Sequence, residues 1–468
     1  MKMLDPLERK RAAMNITREY SKFLIATKYE DIPEQEIDRF KIRLIDSIGV
    51  MAAGTHAAGI EACVDLFGEI GGAPEATVLF HGTRLPADKA SLINSMMARS
   101  FDYEPVGGEF VDRTTGAAHI SGSSIPCMLA TGELVGASGK DALLANILGD
   151  NLTARLQQGT GFAFDKGWDN TGTFNGLGCT ALVCKLLGLD EDQCVNAFGI
   201  DINTIGSTMD GVMDGVLAFK LPHGLSGMNA IMSARMAQRG FTGTFDAIGG
   251  RHGYFDLFGN DNMDPSTVLA DLGKEYYTDG DIKPWPSCRI THAPIQAVLE
   301  LVRENDIKPA DVEKIVVTLQ EGNGSLVDFP YQPGLEVPNF NLRFDLALAL
   351  VKGAVIPQYF EDSYQNDPEI VRVATELVDV AYSPDMKDLF SADVEIALKD
   401  GRSVSRFIGH PKGTLNADPM TREEFLDKYF TNMEYSGFVS RAQAEEILDA
   451  CERFETIDDV NDFVALMR

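Results

Sequence analysis

The stretch Ala392–His410, ADVEIALKDGRSVSRFIGH, alternates apolar and polar residues on either side of Asp400-Gly401. Such a dipeptide between two alternating runs is the strongest short-range signal for a β-hairpin. Upstream, VEKIVVTLQ alternates in the same way, while FNLRFDLALALVKGAV and PEIVRVATELVDV between them read as helices. These segments predict a small α+β domain over residues 276–408, set inside a chain whose other parts carry a different texture.

That other texture is helical. In DRFKIRLIDSIGVMAAG the residues Phe40, Leu44, Ile48 and Met51 fall on one face, as do Leu92, Ile93, Met96 and Met97 after Pro86. GSSIPCMLATGELVGASG, DALLANILGDNLTARLQQ and FNGLGCTALVCKLLGLD are rich in Gly and Ala, and small residues let helices approach closely. After the hairpin, TREEFLDKYF and RAQAEEILDACERF turn helical again. The expected fold is mainly α with an α+β second domain. A large all-helical domain is formed by both chain ends, residues 1–275 and 409–468, with the C-terminal helices packing back on the first part.

Composition limits the function. The chain has 468 residues, 44% of them hydrophobic, and a formal net charge of −29. Such acidity argues against nucleic acid or an anionic membrane surface as partner. No apolar run reaches the roughly 18 residues of a membrane span, and the start, MKMLDPLERKRAAMNITREY, is charged where a signal peptide would be apolar. The expected location is the cytoplasm. The seven cysteines are scattered without a C-x-x-C pair, so neither a disulfide framework nor a zinc site is expected.

Common nucleotide motifs are absent. GELVGASGKD has the wrong glycine spacing for a phosphate loop and places Asp141 where Ser or Thr would bind magnesium, and GTGFAF lacks the third glycine of a dinucleotide loop. Four dispersed segments concentrate polar chemistry instead. ARSFDYEPVGGEFVDRTTGAAHISGSS carries Asp102, Glu104 and His119, although capping residues in a solvated loop would read the same way. KGWDNTGTFNG places Asp169 and Thr171 at a helix start, where plain N-capping competes with anion binding. GVLAFKLPHGLSGMNA sets Lys220 and His223 three residues apart. KPWPSCRITHAPIQAVLELV brings Cys288, Arg289 and His292 to a proline-pinned turn before a helix. A helix N-terminus depresses an imidazole's pKa, so His292 is expected to be neutral and able to act as a base.

Taken in order, IDSIGVMAAG, MARSFDYE, SSIPCMLATGELVGASGKD, GTFNGLGCTALVCKLLGLD, AFKLPHG, KPWPSCRITH, FNLRFDLALALVKGAV and HPKGTLNADPMTREEFLDKYF resemble the MmgE/PrpD family. The resemblance spans almost the whole chain. It implies a helical domain built from both chain ends and an inserted α+β lid, no cofactor or metal, a homodimer, and a small carboxylate substrate. By position it carries Asp102, His119, Lys220 and His292 onto polar residues of the family's cleft. The chain departs from the family pattern at Ser100–Glu104, where Glu104 replaces a threonine, at Trp168-Asp169-Asn170, where a histidine is replaced, and at Phe340–Phe344, where Arg343 is added and a tyrosine becomes Phe344.

The implied reaction is proton removal α to a carboxylate by a cofactor-independent lyase of the hydro-lyase type, acting on a small hydroxy di- or tricarboxylate. An epimerase of the iminodisuccinate type, a cis-aconitate-like decarboxylase and a non-catalytic binding protein are the alternatives. The expected base is His292 or His119, with the other histidine or Asp102 as acid. Lys220 with Arg343 or Arg289 would anchor carboxylates. His223, Asp169, Thr171, Glu104 and Cys288 complete the expected binding residues.

Overall fold

The computed structural model describes residues 15–108, 118–161 and 166–468. The charged start of the chain and part of GTGFAF lie outside these residues. The helical body consists chiefly of α1 (Glu34–Gly54), α2 (Ala87–Arg99), α3 (Ser121–Val135), α4 (Gly139–Thr160), α5 (Asn170–Leu186) and α6 (Leu221–Gln238). The second region holds α7 (His292–Asn305) and α8 (Leu342–Lys352), and α9 (Arg422–Ser436) and α10 (Arg441–Glu452) follow it. Both α9 and α10 pack on α1. The fold is mainly α with a small α+β part.

Close helix approach is built from small residues. A Cβ on Gly178 of α5 would lie 1.8 Å from Oγ1 of Thr153 and 2.7 Å from the carbonyl oxygen of Gly149, both on α4. Any side chain there would push the two helices apart. The core of this body runs continuously from Tyr20 and Phe40 through Leu148 and Leu182 to Phe454 and Phe463.

The second region has its own core, which includes Ile295, Val317, Leu348 and Ile396. Its four-stranded sheet takes β3 (Val312–Gln320), β4 (Val378–Ser383), β5 (Ala392–Leu398) and β6 (Ser403–Ile408) in the order β4-β3-β5-β6. The hairpin β5–β6 closes at Asp400-Gly401, and Gly401 takes φ 88°, a conformation open to glycine at little cost. The helical expectation for PEIVRVATELVDV holds only as far as Leu377. From Val378 the chain becomes β4 and pairs parallel with β3. VDVAYS is rich in strand-favouring residues, and the open edge of β3 offers it backbone partners.

A further two-stranded ribbon, β1 (Val106–Gly108) with β2 (Asp279–Asp281), ties the loop after α2 to the segment entering the second region. It thereby carries Asp102 and Glu104 to Lys283. All seven cysteines are free, five of them buried.

Candidate active site

The end of α2 and the turn beyond it begin the site. Asp102 adopts φ 47°, in the left-handed region where Asp is more tolerated than most side chains. Cations hold it there. Nζ of the fully buried Lys283 lies 2.9 Å from an Asp102 carboxylate oxygen and donates to the Asp102 carbonyl at 2.5 Å. The Arg99 guanidinium pairs with the same carboxylate. One residue on, Nζ of Lys428 on α9 donates to the Tyr103 carbonyl at 3.1 Å and pairs with buried Asp46 at 2.6 Å. Two lysines from distant parts of the chain therefore grip successive carbonyls of one turn.

Glu104 is the hub behind this turn. Its Oε1 is 2.9 Å from Nη1 of Arg99, 2.9 Å from Nδ1 of His119 and 3.2 Å from Nε2 of His223, and the whole side chain is buried. Space for the cluster comes from Gly122 of α3: a Cβ there would meet His223 at 2.8 Å and Glu104 at 3.1 Å. Burial raises the Glu104 pKa. The Arg99 charge and the bonds from both imidazoles outweigh it and hold the carboxyl well below its ordinary value.

His119 is set by the same contacts. Its Nδ1 faces both Glu104 at 2.9 Å and Nη1 of Arg99 at 3.3 Å, so the proton on Nδ1 belongs toward the shorter, anionic contact. Its backbone carbonyl accepts from Asn175 of α5 at 2.7 Å. Burial first, and the Arg99 charge second, push its pKa down to about 4. Neutral His119 with Nδ1–H on Glu104 leaves Nε2 as an acceptor.

His119 lines a narrow cavity between the two regions, in which about 60 Å³ is open to the centre of a water-sized sphere. Arg99, Asp102, Asp169, Asn170, Cys288 and Arg289 also line it. Asp169 caps α5, accepting from the Gly172 amide at 2.8 Å, and burial raises its pKa. Burial, then the nearby Asp102 charge, pushes the Cys288 thiol up to about 12. The Arg99 guanidinium sits 5.4 Å from the Phe219 ring and 5.8 Å from the Phe340 ring, and the two rings pack edge to face with their centroids 5.5 Å apart. Cation–π contacts of this kind hold the group without neutralising it.

Several expected residues lie elsewhere. His292 is fully buried and outside the cavity lining, with Nε2 3.1 Å from the Ser287 carbonyl and Nδ1 3.2 Å from Nη1 of Arg289. Both nitrogens are engaged by protein, so the ring has no lone pair for a substrate proton. Burial, then the Arg289 and Lys283 charges, holds its pKa well below the ordinary value. Lys220 turns away too: its Nζ donates to the Ala58 carbonyl at 2.8 Å, and burial lowers its pKa to about 8. Arg343 pairs with Asp328 at 2.8 Å and with the Val378 carbonyl. Thr171 is buried in α5 and does not line the cavity. Arg289 does line it, but its guanidinium donates to Asp281, Thr414 and the carbonyls of Pro411 and Lys412.

Arg99, Lys283 and Asn170 escaped the sequence reading, although each stands in or beside a segment it singled out. Among the described residues, Glu104, His119 and His223 form the one group whose ligand atoms come together, within 4.8 Å of one another, as metal binding would require. The Arg99 nitrogen already stands against two of the three. A divalent cation would have to expel it.

The family model for the MmgE/PrpD N-terminal domain matches residues 18–266, and that for the MmgE/PrpD C-terminal domain matches residues 285–453. A cis-aconitate decarboxylase-like protein of Aspergillus oryzae is 23% identical over 482 residues, which cover 97% of each chain.

Proposed function

Because the chain belongs to the MmgE/PrpD family, whose members include dehydratases and decarboxylases, we propose that it is a lyase of the dehydratase type that removes a proton α to a carboxylate of a small hydroxy di- or tricarboxylate. One observation carries this reading: the Glu104–His119 pair, with His119 on the cavity wall and Arg99 beside it.

Glu104 fixes the His119 tautomer and stabilises the imidazolium that forms when Nε2 takes the proton, the division of labour found in other carboxylate–histidine pairs. Arg99 is a fixed charge for the enediolate-like carboxylate that develops at the same moment. Asp169, which lines the cavity and whose pKa burial raises, is the acid this reading assigns to a departing hydroxyl. His292 moves from candidate base to positioning residue, holding Arg289 at the cavity edge.

The epimerase shares the first step, whereas a decarboxylase breaks a C–C bond, releases carbon dioxide and delivers a proton to the carbanion-like carbon left behind. A decarboxylase reading draws on the name of the A. oryzae protein. An epimerase would return the proton to the opposite face and release nothing. Incubation with hydroxy di- and tricarboxylates, followed by NMR of the products, separates them: an alkene of unchanged carbon count supports the dehydratase, loss of one carbon the decarboxylase, and stereochemical scrambling alone the epimerase.

A further inference from the structure

The turn that carries Asp102 and Glu104 also borders a second cavity, in which about 490 Å³ is open to the centre of a water-sized sphere, against about 60 Å³ at His119. Tyr103, the residue between the two acids, lines it, and so does Lys428, whose Nζ donates to the Tyr103 carbonyl at 3.1 Å. Other lining residues come from α7, from the chain just after α8 and from α9.

Six charged side chains line this cavity, and four of them are spent within the protein. Lys428 pairs with Asp46 at 2.6 Å, Lys412 pairs with Asp418 at 3.1 Å and with Glu424 at 3.4 Å, and Glu300 pairs with Arg406. The two left over are Arg303 of α7 and Asp427 of α9. Both are exposed, and among the described residues neither side chain has a hydrogen-bond or ion-pair partner. They are of opposite sign. The same cavity is lined by Trp285, Leu299, Val355, Ile356 and Met420, whose apolar surface gains from being covered. A cavity of this size, with a few free polar groups among apolar side chains, has the usual form of a small-molecule site. A simple anion or a simple amine would match one of the two free charges and leave the other unmatched.

We infer that this cavity binds a small zwitterion, an α-amino acid with an apolar side chain, with its carboxylate at Arg303, its ammonium at Asp427 and its side chain against Trp285 and the aliphatic residues. The site stands apart from the reaction proposed above. Its occupant would meet the catalytic turn at Tyr103.

The test uses the full-length chain and needs no turnover. The chain has two tryptophans, so Trp168→Phe, which keeps a ring against Phe174 and Phe258, leaves Trp285 as the one indole reporter. Its fluorescence is titrated with L-phenylalanine, with hydrocinnamate, which lacks the ammonium, and with phenethylamine, which lacks the carboxylate. Isothermal titration of the wild type repeats the series. L-phenylalanine should bind about tenfold tighter than either analogue, the scale of one hydrogen bond to a charged group. Arg303→Gln should erase its advantage over phenethylamine, and Asp427→Asn its advantage over hydrocinnamate, each with an unchanged circular dichroism spectrum.

No saturable signal with L-phenylalanine or L-leucine at millimolar concentration by either method would overturn the inference. So would hydrocinnamate or phenethylamine binding as tightly as the amino acid, or folded Arg303→Gln and Asp427→Asn variants that keep the wild-type preference.

Discussion

Nδ1 of His119 lies 2.9 Å from Oε1 of Glu104, with both side chains buried beside the Arg99 guanidinium. A carboxylate in that position matters mainly once the imidazole becomes charged. Glu104→Gln should therefore lower kcat by about 100-fold or more while changing KM little. An equal loss confined to KM would show that Glu104 serves binding and not proton transfer.

The pH profile follows from the same contacts. Burial and Arg99 push the His119 pKa to about 4, so the base form persists well below the ordinary imidazole value of about 6.5. kcat/KM should stay level as pH falls through 6 and decline only near 4 to 5, as far as the protein stays folded. An acid limb centred near 6.5 would mean that the base is an ordinary, solvated histidine.

Stability should respond in the opposite part of the range. The His292 pKa is depressed in the folded protein, so between its folded value and about 6.5 the unfolded chain binds more protons. The contribution is complete above about 6.5 and is lost as pH falls toward the folded pKa. The urea midpoint should decline from pH 7 to 5, and His292→Gln should make that decline shallower. An unchanged slope would contradict the burial of a neutral ring.

Lys428 and Asp46 form a buried ion pair beneath the catalytic turn. Lys428→Met leaves a carboxylate uncompensated and should cost about 3 to 5 kcal/mol. Adding Asp46→Asn should recover much of it. If the double variant is no more stable than the single one, the lysine acts through its bond to the Tyr103 carbonyl instead.

A metal is not expected to be required, because the Arg99 nitrogen stands 2.9 Å from Oε1 of Glu104 and 3.3 Å from Nδ1 of His119, against two of the three residues that could ligate one. Activity should survive chelation and desalting. Loss restored by zinc, iron or manganese would show that the cation displaces Arg99.

The helices and the hairpin could be read from the sequence because their signals are local: apolar spacing in Phe40–Met51, and Asp400-Gly401 between alternating runs. Strand β4 was missed because VDVAYS follows a helix without a break and gains its strand character from β3, a partner about 60 residues away in the chain. The site was partly legible. Asp102, His119, Asp169, Cys288 and Arg289 do line one cavity, but sequence could not tell which way a long side chain turns. Lys220 and Arg343 turn to backbone carbonyls, and His292 spends both nitrogens on its own loop. Lys283 stood in the same segment as His292, and nothing local marked it as the partner of Asp102.

The assignment of the base is tested most directly by proton NMR in deuterium oxide, following the hydrogen α to the carboxylate of a turned-over hydroxycarboxylate with wild type, His119→Gln and His292→Gln. Exchange or elimination should fall by about 100-fold or more in His119→Gln and by far less in His292→Gln. Retained exchange in a folded His119→Gln, with loss in an equally folded His292→Gln, would contradict the assignment of His119 as the base.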